Sequence, residues 1–187
     1  MHRPPASEIR IRPAERDDLA AITRIYNHYV RTSPCTFDTR PFRVAERTPW
    51  WSQFGRTGRY RLLVAEAGDR VVGYAGSTRF RDRRAYDTTA ETTVYCAPGW
   101  PGHGLGARLY ATLFDALRSE DLALLVAGFT LPNAASASLH RRFGFRRVGV
   151  FHRCGRKFGR YWDVQWNERA VAPAGGGTSP RRPTGLK

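Results

Sequence analysis

Two periods of hydrophobic positions run along the first third of the chain, and they predict different elements. Alternation over residues 9–14 (IRIRPA) predicts a short strand, whereas apolar positions three and four apart over 17–31 predict an amphipathic helix. The apolar face of that helix comprises Leu19, Ile22, Tyr26, Tyr29 and Val30. Residues 42–54 predict a weaker helix that Pro49 interrupts.

From residue 60 onward the pattern is that of strands separated by helices. Residues 60–67 and 70–81 flank Gly68 and Asp69, a pair typical of a hairpin turn. We then predict a strand at 88–96, a helix at 104–119, a buried parallel strand at 122–129, a helix at 133–143, and strands at 145–153 and 160–168. This order predicts an α/β fold with a mixed central β-sheet flanked by helices.

Length and composition fit one folded domain with two short tails. The 187 residues are 41% hydrophobic, enough for a sizeable core, and we assign residues 8–169 to the domain. Residues 1–7 and the basic, Pro/Gly-rich residues 170–187 are predicted to be disordered. No apolar run approaches the roughly 18 residues of a membrane helix, so no membrane association is expected.

The cysteines and the first residues indicate a cytoplasmic protein. Cys35, Cys96 and Cys154 form no CxxC motif and cannot all pair with one another, which is typical of a reducing compartment. The N-terminal residues contain no apolar segment of a secretion signal. The five histidines show no spacing typical of metal ligands, so no metal is expected.

The chain is strongly basic, with 31 Lys and Arg residues against 16 Asp and Glu residues and a net charge of +15. Such a charge favours anionic ligands through long-range attraction, although arginines spread over solvated faces give the same total. No long basic helix or compact Arg/Lys block marks a surface for nucleic acid. We therefore do not expect nucleic acid as a partner.

Four glycines precede the helix predicted at 104–119: Gly99, Gly102, Gly104 and Gly106. Glycines before a helix N-terminus expose its free N–H groups and favour a bound phosphate. A Walker-type phosphate loop is excluded because no Lys follows the glycines. A dinucleotide-binding turn matches loosely at 102–107, but Glu120 and Asp121 precede the next strand, whereas its acidic partner should end that strand.

Residues 131–145 (LPNAASASLHRRFGF), which follow the next predicted strand, give the glycine turn a more specific functional interpretation. Asn133, Ser136 and His140 lie at i, i+3 and i+7, on one helix face. The strand, the GHGLG turn, the apolar strand and this segment together resemble the GNAT superfamily of acyl-CoA-dependent N-acetyltransferases. Four segments extend the resemblance to the phosphinothricin acetyltransferase subfamily: residues 11–41, 80–95, 131–145 and 155–166.

The resemblance implies a fold, an acyl donor and an activity. The expected fold is the single-domain GNAT fold, and the expected donor is acetyl-CoA. The subfamily acetylates the amino group of small amino-acid-like compounds, of the phosphinothricin, methionine sulfone or methionine sulfoximine type. We therefore expect direct transfer to a small amine, and a second copy of the chain as partner in a homodimer.

The resemblance also assigns residues to the acetyl-CoA site. Val94, Tyr95 and Cys96 match the strand whose backbone pairs with the pantetheine arm, and Asn133 matches a residue that bonds the pantetheine. The pyrophosphate loop corresponds to Gly102, His103, Gly104, Leu105, Gly106 and Ala107. The family usually has Gln or Arg at the position of Pro101 and a basic residue at that of His103, so these departures bear on coenzyme affinity.

Two residues match the catalytic positions of the family. Glu91 matches the proposed general base, which takes the proton of the attacking amine directly or through water. His140 lies where many members have Tyr and is the candidate general acid or orienting group. The alternative for Glu91 is a strand carboxylate paired with an arginine, and the alternative for His140 is a solvated histidine on its helix. Cys96 is not expected to be an acyl nucleophile, because no partner lies near it in sequence.

The acceptor site is expected at residues on both sides of Glu91. The positions that match substrate-binding residues of the subfamily are Arg84, Ala85, Tyr86, Thr92 and Thr93. Phe37 and Trp162 are candidate walls of the pocket. Arg84 can hold a carboxylate or phosphinate through two parallel hydrogen bonds.

Two other functions fit parts of the sequence. A GNAT-shaped basic module that binds nucleic acid or protein, with catalysis lost at the altered loop, is the main alternative. Salt-dependent binding to random duplex DNA without thiol release from acetyl-CoA would favour it. A dinucleotide-dependent oxidoreductase is the further alternative.

Overall fold

The strands of the described residues form one seven-stranded sheet. The computed structural model describes residues 9–100, 102 and 104–171. The strands are β1 (Ile9–Pro13), β2 (Leu62–Ala67), β3 (Arg70–Arg79), β4 (Thr89–Cys96), β5 (Leu124–Thr130), β6 (Arg146–Lys157) and β7 (Arg160–Ala170). Their order is β1-β2-β3-β4-β5-β7-β6, with β4 and β5 parallel and the other neighbours antiparallel. The predicted mixed sheet is confirmed, although β5 is parallel on one side alone.

In the described part of the chain, four α-helices accompany the sheet: α1 (Leu19–Thr32), α2 (Thr48–Trp51), α3 (Leu105–Ala116) and α4 (Ala134–Arg142). On one face, Ile22 and Ile25 of α1 form an apolar cluster with side chains of β2 and β3. On the other face, α3 contributes Leu105, Leu109 and Leu113 to the larger core. The sheet therefore separates two cores, because its central strands are covered on both sides.

The predicted helix over residues 42–54 is wrong in its form. Val44–Arg47 make a 3₁₀ turn, and the four-residue α2 follows directly. Pro49 lies in the first turn of α2 and does not interrupt a longer helix. Proline is accepted there because the first N–H groups of a helix have no intrahelical partner.

The ends of the domain differ slightly from the prediction. β7 continues through Ala170, one residue past the predicted end at 169, and the N–H of Val171 donates to the carbonyl of Ala123 at 3.0 Å. The predicted tails lie outside the described residues, apart from these two positions. Among the helices that the structure describes, none is long and apolar enough to cross a membrane.

The sheet opens between its two central strands. β4 pairs with β5 over Thr89–Glu91 and Leu124–Val126 alone, although both strands are longer. Beyond that point β4 continues against β3 as far as Cys96, and β5 continues against β7 as far as Thr130. The strands therefore diverge and leave facing backbone edges on either side of a wedge-shaped opening.

Candidate active site

The backbone of β4 offers hydrogen-bonding groups to this opening. The N–H of Ala97 donates to the carbonyl of Val72 at 2.8 Å, directly opposite it in the register of β3 and β4. Because the groups of an antiparallel strand alternate in direction, Tyr95 bonds β3, while the groups of Val94 and Cys96 face the opening. The carbonyl of Cys96 accepts from the hydroxyl of Tyr29 at 2.7 Å.

The glycine turn has a backbone conformation that only glycine adopts easily. Gly99, Gly102 and Gly104 have φ of 80°, 82° and 73°, and a Cβ on any of them would meet nothing within 4 Å. The glycines are therefore required by the direction of the backbone, not by protein packing. Pro101 and His103 lie outside the described residues.

The glycine turn ends at the N-terminus of α3. Gly104 is the N-cap, and its carbonyl receives the first intrahelical bond, from the N–H of Arg108 at 3.0 Å. The N–H groups of Leu105, Gly106 and Ala107 come before that bond, so they have no partner within α3 and can donate to a ligand. Open space, free amides and the positive end of the helix dipole fit a bound pyrophosphate.

Asn133 caps α4, at the other side of the opening. Its Oδ1 accepts from the N–H of Ser136 at 3.0 Å, and its NH₂ group makes no hydrogen bond with the described residues. That NH₂ group is therefore free to donate to the amide of a pantetheine arm. The edge of β4, the glycine turn and Asn133 together fit the donor expected from the sequence.

His140 lies in the core and not on the surface of α4. It is 4% exposed, with its ring stacked on that of Phe129. Nδ1 donates to the carbonyl of Ser136 at 2.8 Å, and Nε2 lies 3.2 Å from the hydroxyl of Tyr110. Burial lowers the pKa of His140, so the ring is neutral and its Nε2 accepts a hydrogen bond from the Tyr110 hydroxyl. The alternative of a solvated histidine is wrong, because both ring nitrogens of His140 have partners inside the protein.

Glu91 lies at the point where β4 and β5 diverge. It is opposite Thr78 on β3 and Val126 on β5, and its side chain is half-buried. Burial raises the pKa of this carboxyl, and the positive charge of Arg81 works against that shift. A carboxylate with a raised pKa takes up a proton more readily at neutral pH than an exposed one does.

Alternation along β4 separates the predicted acceptor residues. Tyr95 contacts the rings of Tyr26 and Tyr29 in α1, so Glu91, Thr93 and Tyr95 face the α1 side, here called the acceptor face. Thr92 is 4% exposed on the opposite side, with its hydroxyl directed to the carbonyl of Val126 at 3.4 Å. The structure therefore does not bring Thr92 to the face that carries Glu91.

Arg84, Ala85 and Tyr86 form an exposed 3₁₀ turn beyond β3. The ring of Tyr86 contacts Phe80 at 5.8 Å, and Phe80 contacts Trp166 at 6.1 Å. Trp166 in turn covers Gly128 of β5, where a Cβ would lie 3.2 Å from the indole. A row of three aromatic rings (Tyr86, Phe80 and Trp166) therefore connects the predicted substrate turn with β5, the strand next to Glu91.

Phe37 and Trp162 lie at the hairpin between β6 and β7. The ring of Phe37 lies on Gly155, where a Cβ would come within 2.2 Å of it. Trp162 is opposite Gly155 in the register, and its Nε1 donates to the carbonyl of Lys157 at 3.0 Å. The two predicted walls are thus neighbours across one glycine.

Sequence reasoning missed Lys157, which holds the segment before Phe37. Its ammonium group is buried and donates to the carbonyls of Ser33 at 2.9 Å and Thr36 at 2.7 Å. A signal was present, because Lys157 and Lys187 are the two lysines of an otherwise arginine-based chain. Tyr110 and Arg47 were missed too, and their partners come from several elements.

Comparison with known proteins identifies the family. Residues 22–145 match the Acetyltransferase (GNAT) family. The chain is 53% identical over 170 residues to a phosphinothricin N-acetyltransferase of Streptomyces coelicolor, covering 90% of this chain and 99% of the relative. It is 34% identical to an L-methionine sulfoximine/L-methionine sulfone acetyltransferase of Pseudomonas paraeruginosa, over 87% of this chain and 95% of the relative.

Solved structures agree with the sequence relatives. A phosphinothricin acetyltransferase from Sinorhizobium meliloti, in complex with AcCoA, superimposes with a TM-score of 0.83 at 28% identity, covering 93% of this chain and 95% of that one. An acetyltransferase from Salmonella typhimurium, solved with its cofactor acetyl-CoA, gives 0.82 at 33% identity, covering 88% and 95%. The described residues hold no group of three or more His, Cys, Asp or Glu side chains placed to bind a metal. The resemblance drawn from the sequence is confirmed: the chain belongs to the GNAT family and is an N-acetyltransferase that uses acetyl-CoA.

Proposed function

We propose that the protein transfers the acetyl group of acetyl-CoA directly to the α-amino group of a small amino-acid-like acceptor. The observation that carries the proposal is Glu91, half-buried at the apex of the opening between β4 and β5. The thioester binds along the edge of β4, and the amine approaches from the acceptor face. Relatives named for phosphinothricin and for methionine sulfoximine and sulfone support this class of acceptor.

Each chemical step has a group to perform it. Glu91 takes the proton of the ammonium group, directly or through a water molecule, because only the neutral amine attacks a thioester. The amide of Val94 faces the opening and stabilises the negative charge that develops on the thioester oxygen. The departing thiolate takes a proton from a water molecule in the opening, because the hydroxyl of Tyr110 is buried and donates to His140.

Thiol release from acetyl-CoA tests the proposal. A panel of phosphinothricin, methionine sulfone, methionine sulfoximine and ordinary amino acids is compared with a lysine-rich peptide. We expect one of the small zwitterions to give the highest kcat/KM. A peptide that reacts faster than every amino acid would contradict the proposed acceptor class, and a panel without any thiol release would contradict the activity.

We further propose a homodimer formed through the outer strand β6. Four large side chains of β6 and the adjoining hairpin are at least half exposed: Val148, Phe151, Phe158 and Tyr161. β6 is also an edge of the sheet, and an uncovered apolar edge is typical of an interface between chains.

We propose the cytoplasm as the location of the protein, because Cys35, Cys96 and Cys154 are free thiols.

A further inference from the structure

Arg47 is a buried cation without a counterion. Its side chain is 7% exposed, and it forms neither a hydrogen bond nor an ion pair with the described residues. Its Nε is buried without a partner. Buried charges are costly and are normally paired, so this guanidinium calls for a partner outside the described chain.

Aromatic rings surround the guanidinium of Arg47. Its central carbon lies 3.8 Å from the ring centre of Trp50, 4.6 Å from that of Tyr26 and 5.6 Å from that of Phe42. Cation–π contacts stabilise the charge, but they give its N–H groups no acceptor. Asp38 is not that acceptor: its carboxylate accepts from the Tyr26 hydroxyl, and it forms no hydrogen bond or ion pair with Arg47 among the described residues.

Two further unpaired donors lie in the same aromatic cluster. Tyr26 contacts Tyr95 at 5.4 Å, Trp50 contacts Tyr74 at 6.4 Å, and Tyr74 and Tyr95 stack on each other at 5.3 Å. The hydroxyls of Tyr74 and Tyr95 make no hydrogen bond within the part of the chain that is described. Burial raises the pKa of both phenols, so they remain protonated donors.

The cluster lies on the acceptor face of β4. Tyr95 is two positions from Thr93 and four from Glu91, on the same side of the strand, which corresponds to about 13 Å along the backbone. Val94, whose amide faces the thioester in the proposed reaction, directly precedes Tyr95. An acceptor bound on this face next to Val94 therefore has Tyr95, and Arg47 in the same cluster, within its surroundings.

We propose that Arg47, together with the hydroxyls of Tyr74 and Tyr95, binds an anionic group of the acceptor, either a carboxylate or a phosphinate. The anion accepts the N–H and O–H groups that lack partners and neutralises the buried charge. Arg84, the anchor expected from the sequence, is exposed and remains available for a second anion. The inference rests on the proposed function, because it assumes a small amino-acid-like acceptor.

Kinetics with matched acceptors test the inference in Arg47→Gln and Arg47→Met. Arg24→Gln is the control, since it removes the same charge from an exposed position of α1. The acceptors are phosphinothricin, methionine sulfone and methionine sulfone amide, which differ in their anionic groups. We expect KM to rise by about 10- to 100-fold for acceptors with the recognised anion, while kcat changes little and the amide is unaffected.

The pattern of KM changes across the three acceptors identifies the anion. A loss for phosphinothricin alone assigns the phosphinate, and a loss for both acids but not for the amide assigns the carboxylate. Equal losses for all three acceptors, or no loss for any, would overturn the inference. Arg47→Met should melt at the temperature of the wild type or above it, because it removes an unpaired buried charge. A much lower melting temperature with uniform loss of activity would mark Arg47 as structural.

Calorimetry separates this inference from the proposed function. Phosphinothricin and methionine sulfone are titrated into the protein in the presence of CoA, which has no acetyl group to transfer. Binding that weakens in Arg47→Gln without any acetylation by the wild type would support the anion site and contradict the proposed reaction. Acetylation that is unchanged in Arg47→Gln would support the proposed reaction and contradict the anion site. Absence of binding to the wild type would also overturn the anion site.

Discussion

At the scale of single residues, the proposed reaction depends on the protonation of one carboxyl group. Glu91 is half-buried, and burial raises its pKa while Arg81 opposes the shift. A base must be ionised to act, so the rate should rise with pH through an ionisation above the ordinary range of a glutamate. The same environment makes Glu91 costly to keep charged within the folded protein.

Glu91→Gln should lower turnover by roughly 10²- to 10⁴-fold at neutral pH, because the amide has the same size but cannot accept the proton. Acetyl-CoA affinity should hardly change, since that ligand is proposed to bind the backbone of β4 and α3. Steady-state rates across pH check both points, with the exposed Glu15→Gln as control. Near-normal turnover with an unchanged pH profile would show that Glu91 is structural.

Stability should report the same raised pKa. A folded state that binds the Glu91 proton more tightly than the unfolded state loses stability as pH rises from the unfolded pKa through the folded one. Glu91→Gln removes this loss, so its melting temperature should exceed that of the wild type at neutral pH. The difference should shrink in acid, below the ordinary pKa of a glutamate. A constant difference at every pH would contradict the raised pKa.

At the scale of elements, the glycine turn and the N-terminus of α3 act together. The turn directs the chain away from β4 and leaves open space in front of the first amides of α3. Backbone direction and the proposed phosphate binding therefore depend on the same residues. A side chain in this turn would affect both.

Gly104→Val should abolish acetyl-CoA binding, because the side chain fills the space before α3. The matched control is Gly144→Val, since Gly144 also has a positive φ (78°) and open space around it but follows α4. Both variants carry similar backbone strain, so their melting temperatures should fall alike. Calorimetry with acetyl-CoA should detect a loss in the first variant alone. Equal affinities in the two folded variants would remove the turn from the site.

Local patterns were sufficient for most elements. The alternation over residues 9–14 and the helical spacing over 17–31 are properties of short segments, and each segment formed the predicted element. The divergence of β4 from β5 was not predictable from such patterns, because it depends on which strand each one pairs with. The burial of His140 was missed for the same reason: Tyr110 and Phe129 come from other elements.

The candidate site was predictable mainly through the family resemblance. The resemblance supplied Glu91 and the glycine turn, and the structure places both at the opening. Arg47 carried no signal, because an arginine in a helical segment normally faces water. Only the assembled aromatic cluster shows that its guanidinium is buried.

At the scale of the whole molecule, the exposed apolar side chains concentrate at one edge of the sheet. Phe151→Asp should convert the proposed dimer into a monomer, because a carboxylate cannot be buried there without a partner. Val44→Asp is the control, since Val44 is also exposed but lies before α2. Analytical ultracentrifugation checks the result. A wild-type monomer, or a Phe151→Asp dimer, would contradict the proposed interface.

The position of β7 has a consequence for how the protein is made. β7 lies between β5 and β6 in the sheet, although it is the last strand that the described chain contributes. A nascent chain that has emerged only as far as residue 159 therefore leaves the edge of β5 unpaired and Gly128 without Trp166. Such an edge is prone to aggregate with other strands until β7 covers it. We expect the enzyme to become competent in one late step, when residues 160–170 emerge and insert between strands already made.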